Sequence, residues 1–102
     1  MSDSVKNRIA EDVKKHKIIM YVKGNKEMHM CGFSKTVMDI FEDLGVKFET
    51  RDVLSDPEIR DGIKQFTNWP TIPQIFINGE FIGGCDIVRD LYASGELAEL
   101  VK

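Results

Sequence analysis

A short apolar, β-prone run, Ile18-Ile19-Met20-Tyr21-Val22, leads through a polar loop into a segment where Val37, Ile40, Phe41 and Leu44 recur at three- and four-residue steps. That second pattern marks an amphipathic helix with one buried face. The junction between strand and helix is Cys31-Gly32-Phe33-Ser34. A thiol there lies close to backbone N–H groups that have no partner in the first helical turn, and close to the positive end of the helix dipole. Both favour thiolate over thiol. This junction constrains the chain more than any other stretch, because it demands a sheet behind the cysteine and a buried helix ahead of it.

The 102 residues, 42% hydrophobic and 30% charged, suit a single soluble domain over residues 1–102 with one core. A formal charge of −3 gives no reason to expect nucleic acid, which calls for clustered Lys and Arg. No apolar run nears the roughly 18 residues that a membrane span needs, so no membrane is expected. The amino-terminal region lacks a secretory apolar core, and Asp3, Glu11 and Asp12 interrupt its basic residues, unlike a transit peptide. The expected compartment is therefore cytoplasmic (bacterial), or an organellar matrix for a processed form. Two cysteines do not make a disulfide scaffold. A free cysteine is by default a buried, inert thiol, and position argues against that default more strongly for Cys31 than for Cys85.

Along the chain, Ser4 is placed to cap a first helix in which Val5, Ile9 and Val13 share a face. His16 suits the carboxyl end of that helix rather than a metal. Lys23 is either a solvated strand-end lysine or a cation near Cys31 that stabilises a thiolate or an anionic ligand. Gly45 is a natural stop for the helix that follows Cys31, and Val46 to Val53, partly alternating, reads as a second strand. Asp56-Pro57 starts a third helix, with Ile59, Ile63 and Phe66 on its apolar stripe and Arg60 and Lys64 off it. Arg60 is either an ordinary solvated residue or a second cation facing the site.

Pro70 and Pro73 end that helix, since the residue before a proline avoids helical backbone. Gln74-Ile75-Phe76-Ile77, Asn78-Gly79 and Glu80-Phe81-Ile82 spell a β-hairpin on a type I′ turn. Gly83-Gly84-Cys85-Asp86 offers backbone that a ligand can approach closely, with Asp86 near the amino terminus of a helix carrying Ile87, Val88 and Leu91. Gly95 separates a last helical piece, Leu97 to Val101. The order α, β, α, β, α, β, β, α, α predicts an α/β fold. It combines a right-handed parallel crossover with an antiparallel hairpin in one mixed sheet with helices on both faces.

Lys23-Gly24, Cys31-Gly32-Phe33-Ser34, the block Asn68-Trp69-Pro70-Thr71-Ile72-Pro73-Gln74, Asn78-Gly79-Glu80 and Gly83-Gly84-Cys85-Asp86-Ile87 together resemble a monothiol glutaredoxin of the Cys-Gly-Phe-Ser class. The resemblance spans Ile18 to about Leu97 and implies a thioredoxin-like fold with a four-stranded mixed sheet. It further implies a cis peptide bond before Pro73, with the Ile72 backbone pairing the cysteinyl part of glutathione. Lys23 and Arg60 would then hold the glycyl carboxylate. The Cys85 and Asp86 backbone would meet the γ-glutamyl end, with the Asp86 carboxylate on its ammonium group. Glutathione has two carboxylates and one ammonium, and two cations, an anion and a helix amino terminus suit it.

A dithiol oxidoreductase needs a second thiol to release a mixed disulfide, and here that position is Ser34. External glutathione could resolve the intermediate instead, which keeps a monothiol deglutathionylation cycle through Cys31 open. A disulfide between Cys31 and Cys85 is also open. Iron–sulfur chemistry suits the lone thiol better. A [2Fe–2S] cluster usually takes four thiolates, so two chains, each contributing Cys31, and two glutathiones complete the set. The resemblance implies the same cluster-bridged homodimer, with apo iron–sulfur proteins as recipients and a BolA-like protein as an alternative partner. Where the family often has a proline two residues before the cysteine, this chain has Met28-His29-Met30. A looser polar loop is expected there, rather than a histidine or soft-metal site.

Overall fold

The computed structural model describes residues 3–102. Its elements run α1 (Asp3–Lys15), β1 (Ile18–Val22), α2 (Gly32–Asp43), β2 (Glu49–Asp52), α3 (Pro57–Thr67), β3 (Gln74–Ile77), β4 (Glu80–Gly83), α4 (Cys85–Ser94) and α5 (Glu96–Leu100). Strand β1 is buried at every position, and an apolar run without polar alternation requires cover on both faces. Its side chains supply both. Ile18, Met20 and Val22 pack with Val37, Met38 and Phe41 of α2, Val88 of α4 and Leu97 of α5. Ile19 and Tyr21 turn the other way, against Val5, Ile9 and Val13 of α1 and Ile59 and Ile63 of α3. The sheet is four-stranded in the order β2-β1-β3-β4. The β1–β2 pair is parallel, and β1–β3 and β3–β4 are antiparallel. This is the mixed sheet, with helices on both faces, that the element order predicts.

Local chemistry sets the boundaries. Asp56 caps α3, its Oδ1 accepting the Ile59 N–H at 3.3 Å, with Pro57 in the first turn. Asn78 and Gly79 both have positive φ, 52° and 81°, as a type I′ hairpin requires. Gly45 has φ 70°, where a left-handed residue ends the preceding helix. Tyr92 of α4 donates to the Asp43 carboxylate at the end of α2, bracing the two helices. Arg51 of edge strand β2 clasps Asp12 of α1 through two contacts, 3.0 and 3.1 Å.

Four boundaries differ from expectation. Helix α1 already includes Asp3, so Ser4 lies inside its first turn and is not its cap. Strand β2 is shorter than Val46 to Val53, because its register with β1 begins at Glu49 opposite Ile19. Phe48 leaves the ladder to pack on Phe41, with ring centroids 6.0 Å apart. Helix α4 starts at Cys85, two residues before Ile87, because Gly84 acts as the cap residue. Helix α5 runs from Glu96 to Leu100, one residue earlier than its apolar pattern suggests at each end.

The loop between β1 and α2 is tied down rather than loose. Asn25 organises it: its Oδ1 accepts the Glu27 and Met28 N–H groups at 2.9 and 2.8 Å. Its own N–H donates to the Met28 carbonyl at 3.0 Å, and the Met30 N–H donates to Lys23, also at 3.0 Å. Lys26 lies over the Phe48 ring, 4.4 Å from its centroid. Gly24 makes the close approach possible. It has φ 93°, and a Cβ there would stand 2.3 Å from the Met28 carbonyl oxygen and 2.8 Å from the Met30 nitrogen. Gly24→Ala is therefore expected to lower the unfolding free energy by more than about 1 kcal/mol, measured by urea denaturation. Full wild-type stability would contradict this packing.

Candidate functional site

Cys31 is the cap residue of α2, with extended backbone at φ −158°, ψ 132°. From that position a side chain faces the N–H groups of the second and third helical residues, here Phe33 and Ser34. Burial, the largest single influence, pushes the thiol up. The Ser34 and Phe33 N–H groups, the Ser34 hydroxyl and the Lys23 charge together outweigh it, and Cys31 titrates below the ordinary thiol value. No cap hydrogen bond to the sulfur is formed. These donors act at longer range and favour the anion, a stronger acceptor than the thiol. Ser34 is fully buried and its Oγ accepts the Lys23 N–H at 3.1 Å, which leaves its own proton free for the sulfur.

A groove of about 510 Å³ opens beside Cys31. Lys23, Arg60, Ile72, Cys85 and Asp86, each singled out from sequence, line it with Cys31. Lys23 follows β1, and Arg60 projects from α3 on one face of the sheet. Cys85 and Asp86 begin α4 on the opposite face. The nearest carboxylate to Arg60 is Asp61, at 3.8 Å between two exposed side chains, an ion pair that contributes little and leaves the guanidinium available. The first-turn N–H groups of α4 lie beside Asp86, so one region offers both an anion and an anion-attracting helix end.

The peptide bond between Ile72 and Pro73 is cis. Among the described residues, the Ile72 N–H and C=O enter no hydrogen bond, and Ile72 lines the groove, so its backbone edge is free to pair with a ligand there. Gly84 permits the α4 cap to come close to this loop. A Cβ there would lie 3.1 Å from the Pro73 carbonyl oxygen and 3.3 Å from Trp69 Nε1. Cys85 is buried. Burial pushes its thiol up; Arg89 opposes the rise, while Asp86 and Cys31 add to it. Both cysteines are free thiols.

Three groove or near-groove residues were not picked out from sequence. Lys64 lines the groove with Arg60, and the four-residue step between two cations would have placed them on one helical face. Trp69 lines it too. Its Nε1 is buried without a partner, and its ring meets Phe81 edge-on at 5.7 Å. Gln74 lies beneath the loop, fully buried; a polar residue opening an apolar strand was its signal. Met28, Met30 and Phe33 are exposed at 68%, 61% and 62%, an apolar rim on the segment that carries Cys31. Among the described residues, no three or more His, Cys, Asp or Glu gather to hold a metal ion, and His29 stays an exposed loop residue. The assembled chemistry is a stabilised thiolate next to a free peptide edge, with cations and an anion on opposite sides.

A glutaredoxin family profile matches residues 18–82 of this chain. An uncharacterised monothiol glutaredoxin from Synechocystis sp. is 51% identical over all of this chain and 95% of its own. A probable monothiol glutaredoxin of Rickettsia typhi is 50% identical over 92% of this chain and 85% of its own. The solution structure of reduced, apo poplar GrxS14 superposes with a TM-score of 0.84 at 43% identity, covering 95% of this chain and 89% of that one. The fold is thioredoxin-like.

Because folding lowers the Cys31 value, the stability it contributes is present above the unfolded thiol value and is lost as pH falls through the folded one. In iodoacetamide alkylation, the Cys31 rate is expected to reach half its maximum below the pH seen for the same thiol in unfolded protein. Ser34→Ala and Lys23→Gln should each move that midpoint upward, Ser34→Ala by more. Coincident profiles for wild type and Ser34→Ala would show that the hydroxyl does not act on the sulfur.

Proposed function

The chain belongs to the monothiol glutaredoxin family, and on that premise we propose that it binds glutathione in the Cys31 groove and carries a [2Fe–2S] cluster between two copies of itself for transfer to apo iron–sulfur proteins. The observation that carries the proposal is the free Ile72 backbone edge beside a thiolate-favouring Cys31. An extended thiol peptide laid on that edge brings its own sulfur next to the protein's. Lys23, Arg60 and Lys64 suit its glycyl carboxylate. The α4 amino terminus suits the γ-glutamyl carboxylate, and Asp86 suits the ammonium. Charge-assisted hydrogen bonds of this kind are roughly twice as strong as neutral ones.

The cluster is cargo in this proposal. Cys31 contributes one thiolate per chain, and four are usual, so a second chain and two glutathiones complete the set. Ser34 supports the carrier role, because a hydroxyl stabilises the neighbouring thiolate but cannot displace a ligand by forming a disulfide. The exposed apolar rim of Met28, Met30 and Phe33 is surface that a second copy would cover.

The lowered Cys31 value also favours a second function, glutathione-dependent removal of glutathione from protein thiols. There the Cys31 thiolate attacks the glutathione sulfur of a mixed disulfide and releases the protein thiolate. A free glutathione thiolate then attacks the Cys31–glutathione disulfide, releasing oxidised glutathione and restoring Cys31.

Anaerobic incubation with iron, sulfide and glutathione is expected to give a coloured dimer by absorbance and size exclusion, and Cys31→Ser a colourless monomer. Arg60→Gln should raise the glutathione needed for half-maximal colour about tenfold, the effect of one lost charge-assisted hydrogen bond. A full cluster on Cys31→Ser would sink the carrier proposal. Efficient turnover by the cluster-free monomer would favour the oxidoreductase.

A further inference from the structure

Gln74 is a fully buried polar residue at the start of a strand that continues Ile75-Phe76-Ile77. Its Nε2 donates to the carbonyls of Trp69 at 2.9 Å and Thr71 at 3.2 Å. Its Oε1 lies 2.7 Å from the Thr67 hydroxyl. Chemistry fixes the orientation of this amide. Two carbonyls can only accept, so the amide nitrogen must face them, and the oxygen must then take the Thr67 proton. The Thr67 hydroxyl also lies 3.0 Å from the Ile63 carbonyl, but its single proton serves the shorter contact.

These partners belong to different walls of the groove. Thr67 ends α3, which carries Arg60 and Lys64. Trp69 and Thr71 flank Pro70 in the loop that presents Ile72. The Trp69 indole abuts Gly84, the cap from which Cys85 and Asp86 follow. Other backbone support for the loop is sparse. Outside the sheet ladder and among the described residues, the Trp69 N–H to Lys64 carbonyl bond, 3.2 Å, is the one backbone–backbone bond of residues 69–73, and two of those five residues are prolines with no N–H to give.

We propose that Gln74 is a positioning residue for recognition of the thiol peptide, holding the Ile72 backbone edge in register with the cations of α3 and the amino terminus of α4. The inference rests on the proposal that the groove binds glutathione. It predicts an effect on ligand affinity that leaves the Cys31 thiol untouched, because the groups acting on that sulfur come from α2 and Lys23.

Gln74→Met keeps length and removes every hydrogen bond. Gln74→Glu keeps shape and, when protonated, retains one donor for the two carbonyls. Glutathione affinity is measured by titration calorimetry from pH 5 to 8, alongside Cys31 alkylation profiles and near-ultraviolet circular dichroism of Trp69. Wild type supplies the reference pH profile, which includes whatever the Cys31 ionisation contributes, and each variant is read as its affinity relative to wild type at the same pH. Gln74→Met should bind about tenfold or more weakly, as the loss of buried hydrogen bonds implies, with an unchanged Cys31 profile. Gln74→Glu should lose affinity as pH rises and its carboxyl ionises against the two carbonyls. If Gln74→Met does not fold, Gln74→Glu and Thr67→Val, also expected to bind more weakly, carry the test. Affinity within twofold of wild type in the folded variants would overturn the inference, as would a Cys31 profile that shifts together with affinity. A wild-type protein that fails to bind glutathione would instead overturn the groove assignment itself, and this inference with it.

Discussion

Strand β1 is hydrogen-bonded on both edges and buried on both faces, and what surrounds Cys31 depends on how its backbone is satisfied once the strand ends. The Val22 carbonyl accepts the Val53 N–H at 2.9 Å. The Lys23 N–H goes to Ser34 Oγ, and the Gly24 N–H to Asp52 Oδ1 at 3.0 Å. The Lys23 carbonyl takes the Met30 N–H. Polar backbone at the edge of a dry core has to find partners, and two of those found here, Ser34 of α2 and Met30 of the preceding loop, lie within three residues of the cysteine. The same bonds that close the sheet therefore locate α2, and with it the thiol.

The two cysteines show how much one position along a helix matters. Cys31 is the cap of α2, and Cys85 is the first residue inside α4, behind its glycine cap. A cap side chain points back over the first turn, where N–H groups are unpaired; the residue after it does not. Burial opposes ionisation in both thiols, and it prevails at Cys85 but not at Cys31. Being near a helix amino terminus is thus not enough to make a thiol reactive. The direction in which the side chain leaves the backbone decides it.

Periodicity and turn chemistry made most of the fold legible. The continuous apolar run of β1, the Asn78-Gly79 turn, the Asp56-Pro57 start and the four-residue steps of α2 and α3 are local signals, each depending on a few neighbouring dihedrals or on side chains that must be buried. They failed only at boundaries. Phe48 looked like a strand residue and turned instead into the core. Asn25 ties down the β1–α2 loop by a side-chain turn that residue types alone did not disclose. At the site, Cys31 stood out because its setting is local. Arg60 and Lys23 remained ambiguous, since whether a lysine or arginine faces solvent or ligand depends on what lies opposite it.

Residue order was thus sufficient for the element types, the mixed sheet and the thiol whose ionisation the fold favours, all set by short-range sterics and by the need to bury apolar side chains. Only the tertiary structure brought Lys23, Arg60, Ile72, Cys85 and Asp86 to one groove, added Lys64 and Trp69 to it, and placed the Gln74 amide beneath it. Those groups come from four separate stretches of chain on both faces of the sheet. Their juxtaposition is a product of long-range packing, and no local pattern encodes the distance between two helices that cross a strand on opposite sides.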